Sequence, residues 1–179
     1  MKLNNAFVVT ATNFDTFINK TCSYEDSFSP VCIIYTVEEM LWFLKHIKNF
    51  DDYLVQANNQ VIEEFNINIF KDGITPKWED AKNINGCSYI LNINHGKVIS
   101  YIFEQLIFNF MTNKFITINV NGIRLDIKKT YIKIEIWASN IPTSYLGGEV
   151  FKELSTLLGF NYNVSFLCKN HQKLVDQLK

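Results

Sequence analysis

A loop that pairs a large aromatic side chain with a carboxylate is the first stretch of the sequence that could do chemistry. It reads F-K-D-G-I-T-P-K-W-E-D over residues 70–80, and Gly73 and Pro76 are typical of turns. Trp78 offers an aromatic face, and Glu79 places an anion directly beside it. One interpretation is a surface turn whose Trp78 folds back onto the core. The other is a pocket that holds a flat cationic ring between the aromatic face and the carboxylate.

A second candidate is the stretch K-K-T-Y-I-K-I-E-I-W over residues 128–137. Side chains alternate between the two faces of a strand, so Lys133, Glu135 and Trp137 share the face opposite the isoleucines of this stretch. In the strand that precedes it, the same alternation gives a polar face. Its members are Arg124, Asp126 and Lys128.

Two hairpin turns keep the apolar faces of these strands together. A two-residue turn sets Arg124 opposite Glu135 and Asp126 opposite Lys133, which gives a charge-paired, solvated face of little energetic value. A four-residue turn sets Lys128 opposite Lys133 instead. Two facing cations are unfavourable unless an anion lies between them, so this register would indicate a phosphate site.

Composition limits the class of protein. The chain has 179 residues, a net charge of −1 and 47% hydrophobic residues, which predicts one domain over residues 1–179 and argues against a general nucleic-acid binder. The three His residues are isolated and no Gly-rich phosphate loop follows a strand, so we expect no enzyme and no cofactor. The four Cys residues are scattered, which indicates free thiols and no metal site. No signal peptide or membrane span is recognisable, so we expect a cytoplasmic or nuclear protein without a membrane partner.

The elements that position these residues follow from periodicity. A capping box from Thr36 to Glu39 predicts a helix with Met40 and Phe43 on its core face, together with Leu44 and Ile47, and with Trp42 on the opposite side. Further helices are predicted near 98–111 and 144–158, and a charged tail that can form a helix follows. Strands are predicted at 6–12, 31–35, 64–70, 87–93, 115–120, 122–128, 131–137 and 162–168. Locally paired strands with helices on one side indicate an α+β fold with an antiparallel sheet.

Three stretches of the chain resemble one known family. They are T-V-E-E-M-L-W-F-L-K-H-I, F-K-D-G-I-T-P-K-W-E-D-A-K-N-I-N-G and K-K-T-Y-I-K-I-E-I-W, within a similarity that runs from about Tyr24 to His171. They are similar to the initiation factor 4E family, the messenger-RNA cap-binding subunit of the eukaryotic translation initiation complex. The resemblance implies a curved antiparallel sheet of about seven to eight strands with three helices on its convex face. It also implies a protein that binds the 7-methylguanosine cap and recruits capped messenger RNA to translation.

The resemblance implies a role for each pocket residue. Trp78 would be one of two aromatic plates around 7-methylguanine, and Glu79 would accept hydrogen bonds from the base N1–H and the exocyclic amine. Trp137 would pack beside the N7-methyl group. Lys128 and Lys133 would hold the cap phosphates, which favours the four-residue turn.

The chain departs from the family at several of these positions. Tyr24 stands where most members have the second plate, a Trp, and the loose alignment leaves Phe14, Phe17 and Phe28 as alternatives. Ser88 and Thr130 stand where the family has cations. Asn66 replaces the Asp that braces the position of Lys128. Together these changes predict weaker phosphate contacts and a shallower salt dependence than is usual in the family.

The resemblance also implies a partner surface on the convex face, where members bind a short helical motif of the scaffold subunit, an initiation factor 4G-like protein, or of repressors. The matching residues are Val37, Phe103, Glu104 and Ile107. Leu41 stands where the family has a central Trp, and Trp42 follows one position later. Two alternatives stay open. Leu41 motivates a cap-binding translational repressor, and the changes at Tyr24, Ser88 and Thr130 motivate an interaction module whose cap pocket has decayed.

Overall fold

Seven strands in the described part of the chain form a single antiparallel sheet. The structure is a computed structural model that describes residues 1–13, 27–47, 65–93, 99–128, 131–141, 148–160 and 166–177. The strands are β1 (Lys2–Asn13), β2 (Phe28–Thr36), β3 (Phe65–Lys71), β4 (Cys87–Ile93), β5 (Val120–Ile127), β6 (Ile132–Ala138) and β7 (Leu167–Asn170). Their order across the sheet is β2-β1-β3-β5-β6-β4-β7, and every neighbouring pair is antiparallel.

Residues directly opposite each other on neighbouring strands lie on the same face of the sheet, so the register assigns each side chain to one of the two faces. Ile134 lies opposite Leu125 on β5 and Leu91 on β4, and all three are buried. We call this side the helical face, since the three longer helices, Val37–His46, Ile99–Met111 and Gly148–Leu157, contribute to the same hydrophobic core as its side chains. The opposite side, which carries Arg124 and Glu135, is called the pocket face.

Four helices are described: α1 (Val37–His46), α2 (Ile99–Met111), α3 (Gly148–Leu157) and the short α4 (His171–Asp176). The predicted capping box of α1 is confirmed, because Glu39 N–H donates to Thr36 Oγ1 at 3.2 Å and Thr36 N–H donates to Glu39 Oε2 at 3.0 Å. Met40 and Phe43 are buried in the core, as the helical periodicity predicted. None of the helices in the described ranges is both long enough and apolar enough to cross a membrane.

The α+β class and the antiparallel sheet are confirmed, with two differences in the count of elements. The predicted strand at 115–120 is wrong, because the N–H groups of Ile116 and Thr117 donate to the Glu153 carboxylate and the regular strand begins only at Val120. The described part of the sheet therefore has seven strands. The charged tail supplies a fourth helix, α4, where the resemblance implied three.

Candidate ligand-binding site

The loop between β3 and β4 is fixed by its own polar side chains. Asp80 accepts hydrogen bonds from the backbone N–H of Thr75 at 2.8 Å, from its hydroxyl at 2.5 Å, and from the N–H of Lys82 at 2.8 Å. Burial would raise the pKa of Asp80, but these hydrogen bonds outweigh it and lower the pKa below its ordinary value. Gly73 takes a positive φ of 73°, a conformation that suits glycine at the start of this turn. The short stretch that carries Trp78 and Glu79 is thus closed across its base.

Asn83 attaches this loop to the rest of the protein. Its buried Nδ2 donates to the carbonyl oxygens of Thr75 at 2.8 Å and Lys77 at 2.9 Å, on either side of Pro76. Its Oδ1 accepts from Asn121 at 3.0 Å, and its backbone carbonyl accepts from His171 Nδ1 at 2.8 Å. The side chain of Asn83 therefore holds the segment directly before Trp78 against the start of β5, and its backbone carbonyl binds the start of α4.

An aromatic wall stands behind the loop. Trp137 on β6 is only 2% exposed, and its indole meets the edge of Phe70 with the ring centroids 5.4 Å apart. Phe70 can lie there because its neighbour on β5 is Gly122: a Cβ atom at that position would come within 2.3 Å of the Phe70 ring. Trp78 is half-buried and packs against this cluster, so the loop and the wall form one aromatic surface.

A cavity of about 450 Å³ lies between the loop and the pocket face of the sheet. Its size is in the range of sites for small organic ligands. The lining residues are Pro76, Lys77, Trp78, Glu79, Arg124, Lys133, Glu135 and Trp137. The structure thus brings together four of the predicted site residues: Trp78, Glu79, Lys133 and Trp137.

Four charged side chains form a network at the sheet side of this cavity. Arg124 lies opposite Glu135 and Asp126 opposite Lys133. Lys133 Nζ contacts Asp126 Oδ2 at 2.5 Å and Glu135 Oε1 at 2.6 Å, and Arg124 Nε contacts Asp126 Oδ1 at 2.6 Å. Burial opposes the charge of Lys133, but the two carboxylates outweigh burial and raise its pKa. Burial likewise opposes the charge of Asp126, yet Arg124 and Lys133 lower its pKa.

This register corrects the prediction of a four-residue turn. Lys128 N–H donates to the carbonyl of Tyr131 at 3.0 Å, so the hairpin closes in the two-residue register and Lys128 does not face Lys133. Lys128 is not among the residues that line the cavity. The two-residue alternative was correct in register, but the charged face is not solvated as that alternative assumed, because Asp126 is only 1% exposed.

Two of the family departures have structural partners of their own. Ser88 lies opposite Trp137 and is buried, with its Oγ 2.6 Å from His171 Nε2. Since Nδ1 of His171 donates to Asn83, Nε2 accepts from the hydroxyl, and burial lowers the pKa of this imidazole. Asn66 is buried opposite Asp126, where its Oδ1 accepts from Asn68 at 3.0 Å.

The second aromatic plate is not defined by the described residues. Tyr24, Phe14 and Phe17 lie outside them, as does Thr130. Phe28 is half-buried on β2 opposite Thr12, and two strands, β1 and β3, separate β2 from β5 in the sheet. Its assignment as a plate remains a prediction.

The predicted partner surface is divided by the structure. Leu41 and Trp42 are 53% and 61% exposed on α1, Val37 is half-buried, and Glu104 is exposed on α2. Phe103 and Ile107, in contrast, are 1% and 0% exposed and belong to the hydrophobic core. The prediction that these last two form a contact surface is corrected, because α2 is apolar on most of its circumference and turns both side chains inward.

Sequence reasoning missed several residues that build the site. Arg124 and Glu135 appeared only as a possible surface pair, whereas both line the cavity. Asp80 and Asn83 were part of the central motif without a role, and His171 was one of three isolated histidines. The signal that could have found Asp80 and Asn83 is their position three residues apart in a loop, where Asp and Asn side chains commonly bind nearby backbone groups.

A single antiparallel sheet with its three longer helices on one face and a loop-walled aromatic cavity on the other has the build of a small-ligand binding protein. A model of the family described as eukaryotic initiation factor 4E matches residues 2–178. The chain belongs to this family, which confirms the resemblance found in the sequence.

Two relatives show how far the sequence of this chain has diverged from other family members. The eukaryotic translation initiation factor 4E of Candida albicans is 27% identical over 147 residues, which cover 78% of this chain and 66% of that protein. Initiation factor 4E-1 of Zea mays is 21% identical over 159 residues, or 89% of this chain and 69% of that protein. The chain thus spans about two thirds of the length of the curated relatives it matches.

Solved structures share the fold. C. elegans eIF4E-3 in complex with the 4E-binding protein Mextli superposes with a TM-score of 0.78 at 16% identity, covering 97% of this chain and 94% of that one. Ascaris suum eIF4E-3 in complex with the m2,2,7G cap gives a TM-score of 0.73 at 18% identity, covering 95% and 91%. At such identities the likeness concerns the fold alone.

Proposed function

We propose that this protein binds the 7-methylguanosine 5′ cap of messenger RNA and recruits capped messenger RNA to translation initiation, acting as a binding protein and not as an enzyme. The observation that carries the proposal is the cavity in which Trp78, Glu79 and Trp137 converge. Membership of the initiation factor 4E family supports it, as does the structure of C. elegans eIF4E-3 with a cap analogue. We expect the protein to act in the cytoplasm.

The chemistry of the cap base fits this cavity. Methylation at N7 makes guanine cationic, so stacking on Trp78 gains a cation–π component of roughly 0.5–2 kcal/mol beyond ordinary base stacking of roughly 1–3 kcal/mol. Glu79 is exposed at the rim, where its carboxylate can accept the base N1–H and the exocyclic amine together. Trp137 would supply the wall beside the methyl group, and Tyr24 the second plate.

Phosphate contacts would come from the cations near the pocket face. Lys133 lines the cavity, and Lys128 follows the end of β5 two residues after Asp126. Because Lys133 already contacts two carboxylates, its share in binding phosphate should be modest.

Titration of the full chain with 7-methylguanosine triphosphate and with GTP, followed by Trp fluorescence, tests the proposal. We expect the methylated ligand to bind at least about tenfold more tightly, the equivalent of roughly 1.4 kcal/mol. Glu79→Gln should remove most of this preference while leaving the melting temperature unchanged, since Glu79 is exposed. Equal binding of the two ligands, or no binding, would refute cap recognition and favour an interaction module with a decayed pocket.

For the second surface we propose a short helical motif of a scaffold or repressor protein, held by α1 and the exposed side of α2. The support is an apolar patch on α1, Leu41 and Trp42, with the carboxylate of Glu104 on the neighbouring helix. Leu41 in place of the usual Trp favours a second candidate function, a repressor that holds the cap without recruiting the scaffold. Titration with a scaffold-derived and a repressor-derived helical peptide distinguishes the two, since a repressor should bind only the latter.

A further inference from the structure

Glu135 links the aromatic wall of the cavity to its cations. One carboxylate oxygen, Oε2, accepts the indole N–H of Trp137 at 2.9 Å, and the other, Oε1, contacts Lys133 Nζ at 2.6 Å. The carboxylate is nearly buried and lines the same cavity as Trp78 and Glu79. A single side chain therefore touches both the residue expected beside the base and the residue expected to hold phosphate.

The charges around Glu135 cancel. Two cations, Arg124 and Lys133, face two anions, Asp126 and Glu135, in cross-strand pairs. Lys133 is held by both carboxylates at once. Because the charge of Lys133 is already shared between two carboxylates at short distance, a ligand phosphate gains less from Lys133 than from an unpaired lysine. An anion entering this part of the cavity therefore meets a nearly neutral site.

The base end of the cavity experiences the opposite effect. A carboxylate that accepts the indole N–H of Trp137 makes that ring more electron-rich, which favours a cation in contact with its face. Both carboxylate oxygens of Glu135 are already engaged, so Glu135 acts on a ligand ring through Trp137, and Glu79 at the rim is the carboxylate that can meet the ring directly.

We propose that Glu135 is a specificity-determining residue of this cavity: it favours the cationic base and reduces the contribution of the phosphate chain to binding. As a result, 7-methylguanosine ligands with one phosphate and with three phosphates bind with similar affinity. The inference rests on the proposed function for its ligand. The state it assigns to Lys133, restrained by internal carboxylates, does not depend on that function.

The test is Glu135→Gln, examined by calorimetry with 7-methylguanosine monophosphate, 7-methylguanosine triphosphate and inorganic tripolyphosphate. Glutamine keeps an oxygen for the Trp137 N–H but removes the charge that restrains Lys133, and Lys133 keeps Asp126 as a partner. We expect the affinity for tripolyphosphate to rise about threefold to tenfold, as one charge-assisted contact is regained. The triphosphate-to-monophosphate affinity ratio should rise by the same factor, and the salt dependence should steepen by roughly 0.7–0.9 in log–log slope.

Glu79→Gln is the matched control. It removes a carboxylate from the same cavity, but this carboxylate is not the one that binds Lys133 and Trp137. It should weaken both methylated ligands alike and leave tripolyphosphate unchanged. If Glu135→Gln fails to fold, as judged by its melting curve, Glu135→Met tests the same release of Lys133 with an apolar side chain of similar length. An unchanged tripolyphosphate affinity and an unchanged ligand ratio in the folded variant would overturn the inference.

The outcome separates the two proposals. If the wild-type protein shows no preference for the methylated ligand but Glu135→Gln gains tripolyphosphate affinity, cap recognition is refuted and the restraint on Lys133 stands. If the wild-type protein prefers the methylated ligand and already binds the triphosphate tenfold more tightly than the monophosphate, cap recognition stands and the role of Glu135 is refuted.

Discussion

Replacing Asn83 with alanine should release the loop that carries Trp78 and Glu79 while leaving the sheet intact. The side chain makes three hydrogen bonds, to the carbonyls of Thr75 and Lys77 and with Nδ2 of Asn121. At about 1 kcal/mol net for each buried hydrogen bond, Asn83→Ala should lower the free energy of unfolding by about 3 kcal/mol. For a chain of this size this corresponds to a fall in melting temperature of roughly 6–12 °C.

The ligand affinity should fall together with the stability. Trp78 follows the two carbonyls that Asn83 holds, so the variant must order this segment when the ligand binds. We expect the affinity for 7-methylguanosine triphosphate to drop at least about tenfold, the equivalent of roughly 1.4 kcal/mol of ordering free energy. Urea unfolding followed by circular dichroism and ligand titration by fluorescence provide the two measurements.

Thr75→Val is the matched control for this prediction. It removes a hydroxyl that donates to Asp80 in the same loop, but Asp80 keeps the backbone N–H groups of Thr75 and Lys82. The loss in stability should stay below about 1 kcal/mol because Thr75 is exposed. If Asn83→Ala costs no more than this control, or keeps its full ligand affinity, then Asn83 does not hold the loop in the way the contacts indicate.

Three further predictions concern other parts of the molecule. Gly122→Ala should destabilise the protein by about 1–3 kcal/mol and weaken ligand binding, because the new Cβ atom would clash with the Phe70 ring that packs against Trp137. An unchanged melting curve would contradict this prediction. Trp42→Ala should change stability by no more than about 0.5 kcal/mol and leave the affinity for the cap ligand unchanged, yet weaken the binding of a helical peptide by at least about tenfold. Lys45→Ala, the control on the same helix, should change none of the three quantities. A loss of cap-ligand affinity in Trp42→Ala would contradict the assignment of Trp42 to the peptide surface. Burial lowers the pKa of His171, so its contribution to stability should be complete above its ordinary pKa of 6.5 and decline as the pH falls from there towards the lowered value. Urea midpoints at pH 7.5 and 5.5 should therefore differ more in the wild type than in His171→Gln, and equal differences would refute this role.

The strand and helix faces could be predicted from the sequence because they depend only on local periodicity. Ile132, Ile134 and Ile136 alternate, and all three are completely buried on the helical face. The capping box from Thr36 to Glu39 is likewise a contact between neighbours in the chain. The core face of helix α2 was harder to predict. This helix is apolar on most of its circumference, so periodicity did not indicate that Phe103 and Ile107 point into the core.

The hairpin register could not be predicted in the same way. Both candidate registers keep every apolar side chain on the helical face, since they differ by an even number of residues. The choice depends on the closure of the turn, where Lys128 binds Tyr131, and on the cross-strand contacts of Asp126 with Lys133. These terms arise only when the strands pair.

By itself the sequence determined which side chains share a face, and it carried a motif over residues 70–83 specific enough to identify the family. The tertiary structure decided what those side chains contact. Asn83 and His171 are 88 positions apart, so no local pattern could indicate their hydrogen bond. The strength of the charges on the pocket face was also decided there, because a carboxylate such as Glu135 acts differently in water and in a nearly buried site. Burial is a property of the whole fold, and it placed an apparent surface ion pair in the lining of the cavity.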